Sequence, residues 1–265
     1  MTAETIAFSR SAEMPFIERM LVLNTRSHFS AVHETYTLCM NLGRGGAEWL
    51  YRGKKRHGDG KMMMLMEPGE THRTVKLLAT TGSFRVLHLN AEWVQKMAAE
   101  AGMPLPHFNA AVLTQSDAYA ALLAFHRSVD DGASLLERQT RLVSLLDVVC
   151  RHGAEQAQLP SDSSDAVANL RRARQYLMAN YDQKIVLDDL VSASGLSKFH
   201  LVRSFSRCFG MTPHVFLNHV RIGRARASLR LGKQPIAAEL GFFDQSHFIQ
   251  VFRKITGVTP RHYAE

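Results

Sequence analysis

One segment near the carboxyl end of this 265-residue chain occurs twice. The first copy runs from Gly195 to Pro213 and the second from Gly241 to Pro260. In both copies a glycine comes first, phenylalanine and basic residues follow, and glycine, threonine and proline come last at matching spacing. Such internal similarity is typical of a repeated supersecondary unit. We therefore expect two copies of one small helical unit.

The first copy has the local signals of a helix-turn-helix. Leu187 to Ser192 predicts a short helix, and Gly195 can adopt the positive φ that a tight turn requires. Ser197 is a good N-cap for a second helix. The apolar residues available to its core are Phe199, Leu201, Val202, Phe205 and Phe209. The side chains left outside are cationic or hydrogen-bonding: Lys198, His200, Arg203 and Arg207.

A helix with this outer face fits the major groove of B-DNA, where arginine and lysine reach guanine edges or phosphates. The alternative is a helical bundle whose basic face is only solvated. Two such units in tandem favour DNA binding over that alternative.

A long helix is predicted between the two copies. Thr212 followed by Pro213 is an N-cap with proline at the first helical position, and Gly232 ends the segment. About 17 residues in between have helical apolar spacing, which gives roughly 26 Å. Because major-groove faces one DNA turn apart are separated by ~34 Å, two reading helices on one side of the duplex are geometrically reasonable.

Charge is unevenly distributed. Residues 166–265 contain 15 Lys and Arg against 6 Asp and Glu, a net of +9, whereas residues 1–165 contain 17 against 18, a net of −1; the sum is the net charge of +8. Only the repeated region is basic, as expected if it alone faces phosphates. An enzyme for acidic substrates has less reason to segregate charge in this way.

Residues 170–263 resemble the DNA-binding domain of the AraC-type transcription regulators, in which one long helix joins two helix-turn-helix units. The resemblance implies that the helices from Lys198 and from Asp244 enter successive major grooves, with the helix from Pro213 to about Arg230 as a rigid spacer. The residues that carry it include Leu187, Leu190, Gly195, Phe205, Gly210, Thr212, Pro213, Arg224, Gly241, Phe242, Gln245, Ser246, His247, Phe248, Phe252, Gly257, Thr259 and Pro260.

The second unit departs from the family pattern in one place. Eight positions separate Leu187 from Gly195, but only five separate Ile236 from Gly241. About one helical turn is missing, so we expect the first helix of the second unit to be a stub and DNA reading to depend more on the first unit. The predicted DNA-binding residues of the first unit are Lys198, Phe199, His200, Arg203 and Arg207. Those of the second unit are Gln245, Ser246, His247, Gln250 and Arg253.

The front of the chain predicts a β-rich domain. Short apolar runs separated by glycine cover Tyr36 to Leu42, Ala47 to Tyr51, Met62 to Met66 and Phe84 to Leu89. The turn from Glu67 to His72 resembles that of the cupin-like effector domain found ahead of AraC-type DNA-binding domains. The predicted fold class is α+β with two domains: a cupin-like β-barrel with flanking helices (1–155), a linker (156–166) and an all-α domain with two helix-turn-helix units (167–265).

The predicted barrel suggests binding of a small polar organic effector, with an interior filled by its own side chains as the alternative. The candidate effector-binding residues are His33, Tyr36, Trp49 and His72. Metal-binding cupins use a His-x-His plus Glu set, which is not visible here, so we expect no metal. No cofactor and no catalytic residue is predicted either, because no Ser/His/Asp or Cys/His spacing suggests a mechanism.

Helices are predicted over Ala91 to Ala101, Ser116 to Val129 and Ser134 to His152. The last has Leu135, Leu142 and Val149 at seven-residue steps, which indicates either a homodimer seam or packing on the barrel. The AraC-type resemblance favours the dimer.

The function predicted is a sequence-specific DNA-binding transcription regulator controlled by a small-molecule effector. Two alternatives stay open: a cupin-type enzyme with a basic helical appendage, and a constitutive regulator with no ligand. Double-stranded DNA is the main partner, and RNA polymerase is left open as another. Three scattered cysteines and no long apolar run predict a cytoplasmic protein that does not engage the membrane.

Overall fold

This computed structural model describes residues 3–43, 45–103, 105–108, 112–113, 116–157, 165–235 and 237–264, with the backbone alone at 116, 153–157, 165, 166 and 199. Strands form the first part of the chain and helices the last. The linker that we expect at 156–166 stays a prediction. One helix ends at Ala157 and the next begins at Asp165, and residues 158–164 lie outside the described part.

The amino-terminal domain consists of two antiparallel sheets. The larger has the order β1-β2-β9-β4-β7-β10 and the smaller the order β3-β8-β5-β6. The strands of the larger sheet are β1 (Thr5–Ser11), β2 (Met14–Thr25), β4 (Tyr36–Asn41), β7 (Met63–Met66), β9 (Gly82–Leu89) and β10 (Val112–Leu113). Those of the smaller sheet are β3 (Ser30–Val32), β5 (Ala47–Tyr51), β6 (Lys54–Gly58) and β8 (Thr71–Leu77).

The predicted β-barrel is confirmed only as a β-rich domain, because the described strands form two sheets and no closed barrel is detected among them. The two sheets face each other around a shared core that includes Trp49 from one sheet and Val86 from the other, but among the described residues no strand ladder joins them. An apolar layer between two faces needs no such ladder, because side chains from both inner faces fill it. The four predicted strands all exist, within two residues at each end.

Strand register places one polar row on the inner face of the larger sheet. Glu18 on β2 lies opposite His88 on β9, and His88 lies opposite Thr37 on β4. The next inward row, two residues along each strand, is apolar: Met20, Val86 and Cys39. The inner face is therefore polar toward one end and apolar toward the other.

Three helices cover the outer face of this sheet: α1 (Ala91–Glu100), α2 (Ser116–Asp130) and α3 (Leu135–Ala157). Leu142 and Val149 of α3 are buried against the sheet and α2. These two residues belong to the apolar stripe for which we favoured a contact between two copies of the chain. In the structure, α3 uses this stripe to pack on its own domain.

Six helices and a short 3₁₀ helix make up the described carboxyl-terminal domain. They are α4 (Asp165–Ala179), α5 (Leu187–Ser194), α6 (Lys198–Phe209), α7 (Pro213–Arg230), the 3₁₀ helix Ala238–Leu240, α8 (Gln245–Thr256) and α9 (Pro260–Ala264). One core surrounds Phe205 and Phe216 and a second surrounds Phe248 and Phe252. Across the described residues, no helix combines the length and apolarity that a membrane span requires.

Candidate nucleic-acid interface and effector cavity

The first candidate reading helix is α6. Its N-cap is Ser197, whose hydroxyl accepts a hydrogen bond from the His200 amide. Leu201, Phe205 and Phe209 are buried, which turns the opposite face outward. Four of the predicted DNA-binding side chains lie exposed there: Lys198, His200, Arg203 and Arg207. The side chain of the fifth, Phe199, lies outside the described part.

Lys198 is not a free cation. Its Nζ lies 2.6 Å from Asp188 Oδ1 on α5, with both side chains more than half exposed. Exposed pairs of this kind contribute little stability, so a phosphate can compete for the lysine. Arg203 extends from the middle of the exposed face of α6 and is the stronger candidate for a base contact.

The second candidate reading helix is α8. Asp244 caps it by accepting a 2.7 Å hydrogen bond from the His247 amide, and Phe248 and Phe252 anchor it in the core. Four predicted side chains are exposed: Gln245, Ser246, Gln250 and Arg253. His247 is half-buried, with its ring edge-on to Phe242 at a centroid distance of 5.5 Å, so it is less available to DNA than we expected.

The expected stub is present ahead of α8. Only three residues, Ala238–Leu240, form a 3₁₀ helix, and Ile236 lies outside the described part. The Ala237 amide donates a 3.2 Å hydrogen bond to Gln245 Oε1. Gln245 therefore holds the short element against α8, and one of its two hydrogen-bonding groups is already engaged.

The spacer helix α7 has the predicted bounds, Pro213 to Arg230, and Thr212 caps it. Its 18 residues span about 27 Å. Arg221 anchors α7 to the loop after α4: its Nε donates to the Tyr181 carbonyl at 2.7 Å and its Nη2 to the Gln183 carbonyl at 3.0 Å. These two hydrogen bonds tie α7 to the loop that leads into the first unit.

A cavity of about 370 Å³ lies between the two sheets and α7. Its inner walls are the apolar rows of the sheets, including Val22, Phe84 and Val86, and its carboxyl-terminal wall includes His219, Ile222 and Arg226 of α7. This volume is in the range of small-molecule sites. The spacer between the reading helices thus forms part of the wall of a ligand-sized space.

Three of the four predicted effector residues line this cavity: His33, Trp49 and His72. Tyr36 does not, since it belongs to the core under the helices, with its ring edge-on to Phe108. Successive strand residues face opposite sides, so Thr37 and Cys39 of β4 face the cavity and Tyr36 faces away. Thr37, His88 and His219 are cavity residues that our sequence analysis missed.

Three histidines and a threonine form a hydrogen-bonded chain at the polar end of the cavity. Thr37 Oγ1 lies 3.0 Å from both His33 Nδ1 and His88 Nδ1. His33 Nε2 lies 2.7 Å from His72 Nδ1. Each neutral imidazole has one donor and one acceptor nitrogen, so the tautomers along this chain depend on one another.

Burial keeps these imidazoles neutral near pH 7. It lowers the pKa of His72 to about 4 and, with Arg226 adding to the effect, that of His88 to about 3. Burial and the neighbouring His72 and His88 hold the pKa of His33 well below its usual range. In the cavity wall, His88 Nε2 and Trp49 Nε1 have no hydrogen-bond partner within the described residues. Two polar atoms are therefore left for a ligand.

Glu18 joins this end of the cavity to the DNA-binding domain. Its fully buried carboxylate accepts hydrogen bonds from Arg226, Arg230 and the Tyr263 hydroxyl, and from Arg10 at 3.0 Å. Burial acts to raise the pKa of Glu18, but Arg226 and Arg230 outweigh it and hold that pKa well below its usual range. Three arginines surround one carboxylate, so positive charge is in excess here.

Two further ion pairs connect the domains. Arg224 Nε of α7 lies 3.2 Å from Glu34 Oε1, and Arg174 Nη1 of α4 lies 3.1 Å from Glu70 Oε1. Glu70 is in the turn that we singled out for its resemblance to the cupin-like domain. Among the described residues, no three His, Cys, Asp or Glu side chains are grouped so as to hold a metal ion.

Comparisons with known proteins agree with this architecture. Residues 190–265 match a family model described as a helix-turn-helix domain. The chain resembles the uncharacterized HTH-type transcriptional regulator YbfI of Bacillus subtilis, with 30% identity over 191 residues, 70% of this chain and 68% of that protein. It also resembles the HTH-type transcriptional activator RhaR of Yersinia pestis, with 28% identity over 187 residues, 68% of this chain and 63% of that protein.

Among solved structures, ToxT from Vibrio cholerae has a similar fold, with a TM-score of 0.55 at 13% identity, covering 94% of this chain and 97% of ToxT. The likeness extends over both domains. The relationship to YbfI and the helix-turn-helix match show that the chain belongs to the AraC-type family of DNA-binding transcription regulators.

Proposed function

We propose that this regulator reads DNA with α6 and α8 and that a small molecule in the cavity between the sheets and α7 controls the reading. The observation that carries the proposal is that His219, Ile222 and Arg226 of the spacer helix form part of the cavity wall. A ligand there contacts the element that fixes the distance between the two reading helices. Differential binding to two arrangements of α7 is then sufficient for control.

On the DNA side, α6 makes the main base contacts through Arg203, with Lys198, His200 and Arg207 on bases or phosphates. Gln250, Ser246 and Gln245 of α8 contact a second major groove, with Arg253 on phosphate. The exposure of these side chains supports the assignment, as does the 27 Å spacer. The relatives are named transcription regulators, which favours this function over a cupin-type enzyme.

The effector that fits the cavity best is an organic acid with an apolar body. Most of the wall is apolar, so the small polar molecule expected from sequence fits less well. Arg226 and Arg230 line the polar end. Together with Arg10 they exceed the charge of Glu18, and His88 Nε2 has no partner within the described residues. Buried positive charge in excess favours an anion. Structures of ToxT have been solved with an unsaturated fatty acid and with a naphthalenyl butenoic acid bound.

The ligand proposal is tested by thermal unfolding with oleate and its uncharged analogue oleyl alcohol. We expect oleate to raise Tm more than the alcohol does, because a ligand that binds only the folded state stabilises it. Val86→Phe fills the cavity and should abolish the shift, whereas Val75→Phe, on the outer face of β8, should keep it. No shift in the unmodified protein with any tested acid would favour the constitutive regulator.

Dimerisation through α3 remains part of the proposal, but through the exposed face of α3 and not through the face that carries Leu142 and Val149. Leu136 and Val143 are exposed and seven residues apart on the side of α3 that faces away from its own domain. Seven-residue apolar spacing suits a helix pair. A cytoplasmic homodimer binding two sites, with RNA polymerase as a further partner, is the assembly that we infer.

A further inference from the structure

The turns of the two helix-turn-helix units differ by one residue. In the first unit, Gly195 and the N-cap Ser197 are two positions apart; in the second, Gly241 and the N-cap Asp244 are three apart. Both glycines have positive φ, 72° and 76°, and both caps accept a hydrogen bond from an amide three residues on. The two turns otherwise match, so α8 is preceded by one inserted residue.

The inserted residue is Phe243. Its predecessor Phe242 is buried in the second core, as Leu196 packs on the first. The side chain of Phe243 is 93% exposed, the highest value among the large apolar side chains that the structure describes. It lies directly before the N-cap of α8. In helix-turn-helix proteins, the N-terminal residues of the reading helix are the ones that contact base edges.

The two reading helices also differ at one matched position. Arg203 is the sixth residue after the cap of α6, and Gln250 is the sixth after the cap of α8. Both are exposed. In the major groove, arginine pairs with the O6 and N7 atoms of guanine, glutamine pairs with N6 and N7 of adenine, and phenylalanine contacts the methyl group of thymine. An A·T pair presents both of the features that Gln250 and Phe243 recognise.

We propose that the second unit reads A·T pairs, with Gln250 on adenine and Phe243 on a thymine methyl group, whereas Arg203 of the first unit reads G·C. The two halves of the operator, one contacted by each unit, therefore differ in base composition. The inference rests on the proposed function, in which α6 and α8 both enter major grooves. Ile249, exposed beside Gln250 on α8, extends the apolar part of this surface.

The test begins with operator selection by the full-length protein from random duplexes, followed by footprinting of the selected DNA. Deoxyuridine then replaces thymine in the second half-site, which removes only the 5-methyl groups. We expect each contacted methyl group to be worth about fourfold in Kd, since one buried methyl-sized group contributes ~0.8 kcal/mol. Phe243→Ala should weaken binding to the thymine-containing operator by a similar factor. The Kd of this variant should not change when deoxyuridine replaces thymine.

Val75→Ala, which shortens an exposed apolar side chain on β8, is the matched control and should keep the full response to deoxyuridine. Equal deoxyuridine sensitivity in the unmodified protein and Phe243→Ala would overturn the proposal, as would selection of G·C pairs in the second half-site. A Phe243→Ala defect in transcription with unchanged DNA affinity would also overturn it, in favour of a protein partner. Protection of a single half-site would instead show that α8 does not dock, which is failure of the proposed function itself.

Discussion

Glu18 on strand β2 and Arg230 at the end of helix α7 share two hydrogen bonds, of 2.8 and 3.1 Å, although 212 positions separate them in the chain. This contact lies beside the polar end of the cavity, since Glu18 is directly opposite His88 in the sheet. Any ligand that approaches His88 therefore approaches the ionic contact between the two domains. The arrangement gives ligand binding a direct physical route to the spacer helix.

Glu18→Gln should strongly destabilise the folded chain. The substitution leaves Arg10, Arg226 and Arg230 around an uncharged group, and breaking a buried ion pair typically costs about 3–5 kcal/mol. Urea denaturation measures the change in the free energy of unfolding. Glu13→Gln is the control, because the Glu13–Arg138 pair is half-exposed on the glutamate side and should cost less than about 1 kcal/mol. Similar losses in both variants would contradict the assigned role of Glu18.

Stability should fall as pH falls from about 7 to about 4. The pKa values of His72 and His88 are lowered in the folded state to about 4 and about 3, while the unfolded values lie near 6.5. The unfolded state then binds more protons in this window, so acidification favours it by up to about 1.4 kcal/mol per pH unit for each histidine. His88→Gln should give a flatter profile in denaturation series from pH 7 to 4.5. An unchanged slope would mean that His88 is not buried as a neutral imidazole.

Arg203→Ala should weaken binding to the selected operator by about fivefold to 160-fold, which corresponds to the ~1–3 kcal/mol of a bidentate base contact. Fluorescence anisotropy at fixed salt measures the loss. Lys198→Ala should cost less, because Asp188 shares that lysine. Arg151→Ala, in an exposed ion pair on α3, is the control. A loss for Arg203→Ala that is the same on all DNA sequences would assign Arg203 to phosphate.

Val143→Glu should convert the proposed homodimer to monomers without loss of stability, because Val143 is half-exposed on α3 and a charge there is tolerated in the monomer but not in an apolar interface. Sedimentation velocity distinguishes the two states. Val75→Glu, which changes a similarly exposed valine on β8, should leave the proposed dimer intact. If the unmodified protein sediments as a monomer at micromolar concentration, the α3 interface is ruled out.

The helical part of this fold follows largely from local signals. Ser197 and Thr212 are N-caps whose hydroxyl groups accept hydrogen bonds from amides in the first turn. The starts of α6 and α7 could therefore be predicted from these caps and, for α7, from Pro213 as well. The short spacing between Ile236 and Gly241, compared with the first unit, predicted the short helical element that the structure has at Ala238–Leu240. Comparing the two turns residue by residue would also have revealed the insertion of Phe243.

The cavity could not be predicted in the same way, since it depends on strand register. Glu18, Thr37 and His88 are distant in sequence and become neighbours only through the pairing of β2, β9 and β4. We predicted Tyr36 as an effector-binding residue, but it faces the helices. The local sequence does not indicate which face of β4 packs against them. The open two-sheet arrangement likewise depends on edge pairing, which the alternation of apolar residues does not determine.

The central claim is that a ligand in the cavity controls DNA reading, and a linkage measurement with oleate and the selected operator tests it most directly. Operator Kd is measured with and without saturating oleate, and oleate Kd with and without operator. We predict that both change by the same factor, since coupling between two binding sites is reciprocal, and that Val86→Phe abolishes both changes. Oleate that binds the cavity and leaves operator Kd unchanged would contradict the account.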